Sequence, residues 1–357
     1  MSPMKVGIVG YAGTGKSTVF QWLTGAKPDP AKAQMGQTGV AKMPDPRLDL
    51  LSIRFQPKKT TPTALEFLDT PGLMPDERRD NPRRLGILRE SNGLLVVLNG
   101  YSESDWAGQL RRFREELMFA DLEIISGRIT RLEDGQKKPK PAKQREADLL
   151  ELTLLQRIAA AFEANQSPAT LGLKEDEEKA IRSFQLLTLK AEFVLVNIGD
   201  DKVNQPVAPE LLQLSPGAVQ APAKLELELH DLSDEDRRMF MQDLGVTGFV
   251  RDDVLRAVFK AMGQIVFLTA GYDECRAWAM PAGGDAVVGA SQIHTDLARG
   301  FVRGEVVGWA DFMKLYGESK TRVGESMKEA RTAGVLRQEG KTYIVQDGDI
   351  MHILAST

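Results

Sequence analysis

The sequence predicts an α/β fold of the P-loop NTPase kind. A doubly wound sheet carries an inserted antiparallel coiled-coil arm, and a small mixed domain follows at the C-terminal end. Three observations predict it. Residues 10–17, Gly10-Tyr11-Ala12-Gly13-Thr14-Gly15-Lys16-Ser17, fit G-x-x-x-x-G-K-[ST] at every fixed position. Apolar runs that read as buried strands recur at 4–9, 93–99 and 191–197, with helical stretches between them. The interval between the last two is too long for one crossover helix, and it contains heptad spacing.

The P-loop has the required context on both sides. Met4-Lys5-Val6-Gly7-Ile8-Val9 reads as a strand, and Thr18 to Thr24 can continue as a helix. The glycines let successive N–H groups turn inward onto phosphate, and the helix N-terminus adds partial positive charge. Lys16 is expected to reach the β- and γ-phosphates as the catalytic cation, and the Ser17 hydroxyl to ligate Mg2+. Nucleotide contacts are expected from Gly10, Ala12, Gly13, Thr14, Gly15, Lys16, Ser17 and Thr18.

A second strand, Ala64 to Leu68, runs into Asp69-Thr70-Pro71-Gly72. An acid at the end of a strand beside the P-loop strand holds Mg2+, while the Gly72 N–H senses the γ-phosphate. The same four residues also make a good turn. Their place after a strand, downstream of the P-loop, adds weight to the metal reading. The charged and proline-rich segment Met74 to Arg84 reads as a mobile loop or, equally, as a solvated linker.

After the strand at 93–99, Met118, Leu122, Ile125, Ile129 and Leu132 are spaced 4, 3, 4, 3, a heptad seam. The chain breaks at 134–141. A second helix follows with Ala147, Leu150, Leu154, Ile158 and Ala161 on one face. Lys137, Lys138, Lys140 and Lys143 stand at the tip of this hairpin. They form either a patch for RNA phosphate or a solubility feature.

The strand at 191–197 closes on Asn197-Ile198-Gly199-Asp200, where guanine-binding P-loop proteins carry Asn-Lys-x-Asp. Asn197, Ile198 and Asp200 are therefore candidate base contacts. Gly199 replaces the lysine, which leaves the choice between ATP and GTP open. Ala221-Pro222-Ala223-Lys224 is a candidate for the last base-facing loop. Ser233 opens an acidic helix start. Residues 265–271 and 274–280 read as two strands around a turn, and 343–354 as two short strands around Asp-Gly-Asp. The expected division is a nucleotide domain over 1–115 and 185–263, a helical insertion over 116–184, and a small domain over 264–357.

The bulk composition is consistent with this. A chain of 357 residues holds two or three domains, and 42% hydrophobic with 27% charged residues is an ordinary globular balance. A net charge of -4 does not drive nucleic-acid binding, so DNA is not an expected partner and RNA contact needs a local patch. The one cysteine, Cys275, fits a reducing cytoplasm. The first residues read as a strand, so no signal peptide is expected, and no apolar run approaches the ~20 residues of a membrane span; a cytoplasmic protein without a membrane partner is expected. His230, His294 and His352 lie far apart and near no second zinc ligand.

At this point the residues resemble the YchF/Obg-like ATPases, nearly end to end. The most specific pieces are Met43-Pro44-Asp45-Pro46-Arg47-Leu48, the stretch Glu116 to Glu123, His294-Thr295-Asp296 with Gly300 to Val306, and Tyr343 to Asp349. The last two are similar to a TGS domain, so the resemblance implies a β-grasp module at the C-terminal end. It also implies slow ATP hydrolysis, association with ribosomes or ribosomal RNA, and the stated roles for Lys16, Ser17, Asp69, Gly72 and Asn197. The chain departs from the family pattern in several places. Gly13-Thr14 replace Asn-Val, Thr70-Pro71 stand in Asp-x-Ala-Gly, and Asp200 replaces Glu. Ala33 falls where a metal-ligating threonine normally sits. Leu73 takes the place after D-x-x-G where small GTPases carry a water-orienting Gln. Three readings stay open: a Mg2+-dependent ATPase cycling on ribosomes, a nucleotide-gated binding switch with marginal hydrolysis, and a conventional GTPase.

Overall fold

The computed structural model describes residues 4–32, 35–74, 81–317 and 327–356. In chain order its strands are β1 (Met4–Val9), β2 (Gln37–Lys42), β3 (Lys59–Thr61), β4 (Ala64–Asp69), β5 (Gly93–Asn99), β6 (Ala191–Asn197), β7 (Val219–Ala221), β8 (Gln264–Thr269), β9 (Glu274–Pro281), β10 (Phe301–Val307), β11 (Arg337–Glu339) and β12 (Ile350–Ala355). The helices used below are α1 (Lys16–Thr24), α2 (Pro46–Phe55), α3 (Asn81–Gly86), α4 (Trp106–Gln136) and α5 (Ala142–Glu163). Two six-stranded sheets form, in the orders β2-β4-β1-β5-β6-β7 and β11-β10-β12-β8-β9-β3. The chain divides into two compact units, Lys5–Gly39 with Phe67–Arg251, and Val40–Glu66 with Asp252–Thr357.

The first sheet follows from the apolar runs. β5 is buried at all seven positions and pairs in parallel with β1 and β6, which in turn pairs with β7. A strand buried on both faces has to be apolar throughout, and Gly93-Leu94-Leu95-Val96-Val97-Leu98-Asn99 is. Phe113 and Leu117 of α4 cover one face against Leu94, Val96 and Val194. β4 lies beside β1, so Asp69 ends next to the P-loop as its sequence position requires.

The arm is an α4–α5 hairpin. α4 begins at Trp106, earlier than the heptad seam shows, because Asp105 caps it by accepting from the Gly108 N–H at 2.8 Å. Ile125 and Leu132 pack with Leu154, Leu155, Ile158 and Phe162, and Met118, Leu122 and Ile129 flank them. The seam expected on the second helix holds at Leu154, Ile158 and Ala161, which are buried, and needs correction at its first two positions. Leu150 is 69% exposed and Ala147 is exposed too, while Leu152, Leu155 and Phe162 are buried. Several leucines in this stretch offer rival stripes, and the buried face widens to take in Leu152, Leu155 and Phe162 beside Leu154, Ile158 and Ala161.

In the second unit, β8 and β9 form the expected antiparallel hairpin. The hairpin expected over 343–354 does not form. β12 sits between β10 and β8, so both its edges are taken, and Ile344 makes only an isolated bridge to Asp285. Asp349 instead folds the turn on itself by accepting from the Gln346 N–H and the Tyr343 hydroxyl. β3, which sequence reading leaves with the P-loop, pairs in parallel with β9. α2 comes with it. Arg54 is fully buried, donating to Gly317 O at 2.8 Å and to Tyr316 O, and Arg47 binds Asp45 and, at 2.6 Å, Asp347. Two stretches that carry the family resemblance thus meet through one ion pair.

Candidate functional site

The site lies at the C-terminal ends of β1, β4 and β5, where ligands bind in open α/β sheets. β1 ends at Val9, and the chain turns through Gly10 to Gly15 into α1. Gly15 adopts φ 85 as the residue before the helix, and a Cβ there would collide with the Asn197 amide. Glycine is required at this position on both counts. The Thr14 hydroxyl donates to Tyr11 O at 3.2 Å. Ser17 and Thr18 begin the helix beside Lys16.

A cavity of about 380 Å³ brings Ala12, Gly13, Lys16 and Ser17 together with Asp69 and Gly72. Lys16 is buried and its ammonium donates to Tyr11 O at 2.7 Å. Burial lowers its pKa to about 8, against the opposing attraction of Asp69. Burial likewise raises the Asp69 carboxyl, opposed by the Ser17 hydroxyl, Lys16 and the Thr70 N–H. One carboxylate oxygen of Asp69, Oδ1, is buried without a hydrogen-bond partner. Gly72 lies directly on the loop, where a Cβ would come within 2.8 Å of Ala12 N and 2.9 Å of Lys16 Nζ.

The segment after Gly72 is laced to the P-loop. Leu73 N–H donates to Gly10 O at 3.1 Å, and Ala12 N–H donates to Leu73 O at 2.8 Å. The Leu73 side chain, 2% exposed, packs with Val9, Leu85 and Leu88.

The base-side residues separate. Asn197 Nδ2 donates to Thr14 O at 3.1 Å, across 183 residues. The Ile198 side chain belongs to the core with Val196, and its N–H donates to Ala221 O at 3.1 Å. Asp200 is exposed at the start of a short turn, Asp200–Lys202. The segment proposed as the last base-facing loop ends β7 and enters a helix, Ala223–His230. Ala33 and most of the Met74–Arg84 loop lie outside the described residues.

Sequence reading missed Tyr101 and Arg84. Tyr101 follows the end of β5, its hydroxyl donates to Gly13 O, and its ring is 45% exposed beside Gly15 and Gly199. Its position two residues past a buried parallel strand was the available signal. Arg84 lines the cavity.

A GTPase-type family model, described as a 50S ribosome-binding GTPase, matches residues 5–125. A second, for the C-terminal domain of YchF GTPases and described as a protein of unknown function, matches residues 264–356. The protein of Haemophilus ducreyi named ribosome-binding ATPase YchF is 35% identical over 98% of both chains. The chain belongs to the YchF family. The Bacillus subtilis YchF named the same way is 30% identical, again over 98% of both chains. The solved Schizosaccharomyces pombe YchF GTPase covers 99% of this chain at a TM-score of 0.76 and 22% identity, a likeness of fold. The fold class expected from sequence is the YchF fold. No helix among the described residues is long and apolar enough to cross a membrane.

Proposed function

We propose that this chain is a Mg2+-dependent NTPase of slow intrinsic turnover, ATP-preferring, acting in the cytoplasm in association with the ribosome. The observation that carries the reading is the convergence of Lys16, Ser17, Asp69 and Gly72 on one cavity. The names of its relatives supply the ribosome and the preference for ATP.

The residues present fit a hard cation. Asp69 Oδ1 is buried and unpartnered, and the Ser17 hydroxyl adjoins the same carboxylate. An all-oxygen pair beside a phosphate cradle suits Mg2+, held by Ser17 and Asp69. When bound, it neutralises charge on β- and γ-phosphate oxygens. Lys16 supplies the cation of the P-loop. The reading gives Gly72 the γ-phosphate contact through its N–H, supported by its close approach to Ala12 and Lys16, which leaves no room for a Cβ.

Leu73 supports slow hydrolysis and is the observation behind the second reading, a nucleotide-gated switch. The residue after Gly72 is turned into the core and cannot orient water. Single-turnover hydrolysis of ATP and GTP, with and without ribosomes, separates the readings. ATP cleavage that ribosomes accelerate is expected, and Lys16→Ala should weaken triphosphate binding far more than nucleoside binding. Tight nucleotide binding without cleavage under either condition would establish the switch instead.

A further inference from the structure

The phosphate end of the cavity has a further cation that neither the P-loop nor the base motif provides. Arg84, on α3, lines the same cavity as Gly72, Met74, Lys16, Ser17 and Asp69. Asn197 and Tyr101 are not part of this lining, so Arg84 shares its cavity with the phosphate-side motif residues and not with the base-side ones. Its place is fixed from beneath. Arg84 donates to Asn81 Oδ1 at 3.4 Å. Asn81, 0% exposed, grips both backbone groups of Met74 at 3.2 Å and donates to Glu116 Oε2 of α4 at 2.9 Å. The cavity's other lysine, Lys32, lies 4.0 Å from Asp29, which also lines it.

We propose that Arg84 is a catalytic residue, a guanidinium supplied in cis to the γ-phosphate of bound ATP. The inference rests on the NTPase reading above. In the reaction, water oxygen bonds to the γ-phosphorus and the bond from that phosphorus to the β–γ bridging oxygen breaks. The bridging oxygen leaves on ADP with the electron pair, and the water proton passes to phosphate or solvent. Negative charge therefore grows on the bridging and γ oxygens. A planar, permanently charged fork aimed there acts on the transition state more than on bound ADP. The need for it is local, since Leu73 contributes no polar group.

The test uses the full chain and compares Arg84→Ala and Arg84→Lys with the parent. Three quantities are read: single-turnover ATP hydrolysis, affinity for ADP, and affinity for ADP with fluoroaluminate, a mimic of the transferring phosphoryl group. Arg84→Ala should slow hydrolysis about a thousandfold or more, within the span known for such arginines. ADP affinity should stay within about twofold, and the extra affinity conferred by fluoroaluminate should largely vanish. Arg84→Lys should fall between the two. Should the alanine variant fail to fold, the lysine variant decides, with a loss of about tenfold expected. If the parent hydrolyses ATP and both variants match it within about threefold, the Arg84 assignment falls alone. A parent that binds ATP and never cleaves it overturns both this inference and the NTPase reading.

Discussion

Asn197 and Thr14 are joined directly: the Asn197 amide, at the end of β6, donates to the main-chain oxygen of Thr14 at 3.1 Å and so braces the P-loop from below. Thr14 is 3% exposed, so this oxygen depends on a protein partner. Asn197→Ala should leave it unsatisfied, at a cost of about 1–3 kcal/mol. The expected result is weaker binding of ATP and GTP by the same factor, with a lower melting temperature. Calorimetric titration of both nucleotides checks it, and a loss confined to one base would move Asn197 into base recognition.

Base choice should depend on position 199. The backbone of Gly199 is extended, at φ -79 and ψ 171, and accepts any residue. A Cβ there meets Asp201 Oδ1 at 2.6 Å, the mobile end of a side chain, and Tyr101 Cβ at 3.6 Å. Gly199→Lys should therefore be accommodated once Asp201 turns aside. The added stem packs on the base and should shift the ATP-to-GTP affinity ratio toward GTP by roughly tenfold. Competition binding measures this, and a parent that already binds GTP tenfold tighter would support the conventional GTPase.

The tip lysines should not contribute equally to ribosome binding. Lys137 is paired with Asp134 at 2.8 Å, and Lys140 with Asp148 at 2.5 Å. Lys138 and Lys143 form no ion pair among the described residues. Lys138→Gln with Lys143→Gln should reduce co-sedimentation with ribosomes and flatten its salt dependence by about two counterions. Lys140→Gln should chiefly lower the melting temperature of the arm. Unchanged sedimentation at low salt in the double variant would make the patch a solubility feature.

Glu226 should give the chain a pH-dependent stability. Burial raises its pKa above the ordinary 4.5, opposed by hydrogen bonds from the Val250 and Arg251 N–H groups and the Trp22 indole and by the charge of Arg251. The folded chain holds this proton more tightly than the unfolded one. The contribution is thus complete below the unfolded pKa and is lost as pH rises through the raised value. Trp22 Nε1 donates to Glu226 Oε2 at 2.8 Å, so indole fluorescence should follow the same titration. As pH rises above the ordinary carboxylate value of 4.5, denaturant midpoints of the parent should fall relative to those of Glu226→Gln. Parallel profiles would refute the assignment.

What the sequence disclosed follows from locality. The P-loop, β1, β5 and β6 are written in contiguous residues, since each glycine or apolar run answers to its own segment of backbone. The misreadings arise where a partner distant in sequence decides. Lys59-Thr60-Thr61 has no apolar pattern and becomes a strand only because β9 offers an edge. The Asp-Gly-Asp turn looks like a hairpin until β10 and β8 occupy both sides of β12. In the site, Lys16, Ser17, Asp69 and Gly72 meet as their motifs imply. Ile198 does not join them, because in a seven-residue parallel strand the next apolar residue still packs inward.

The excursion of residues 40–66 has a consequence for synthesis. A ribosome releases α2 and β3 early, yet their partners β9 and Tyr316 are encoded near the far end of the message. Until those emerge, the apolar stripe of Leu48, Leu51 and Phe55 has no surface to cover it. The unit containing Asp252–Thr357 therefore closes last, and its first installed piece waits longest, the period when aggregation or chaperone capture is most favoured. A nonsense codon before β9 would strand an amphipathic helix on an otherwise finished nucleotide unit, giving quality control an early mark of an incomplete chain.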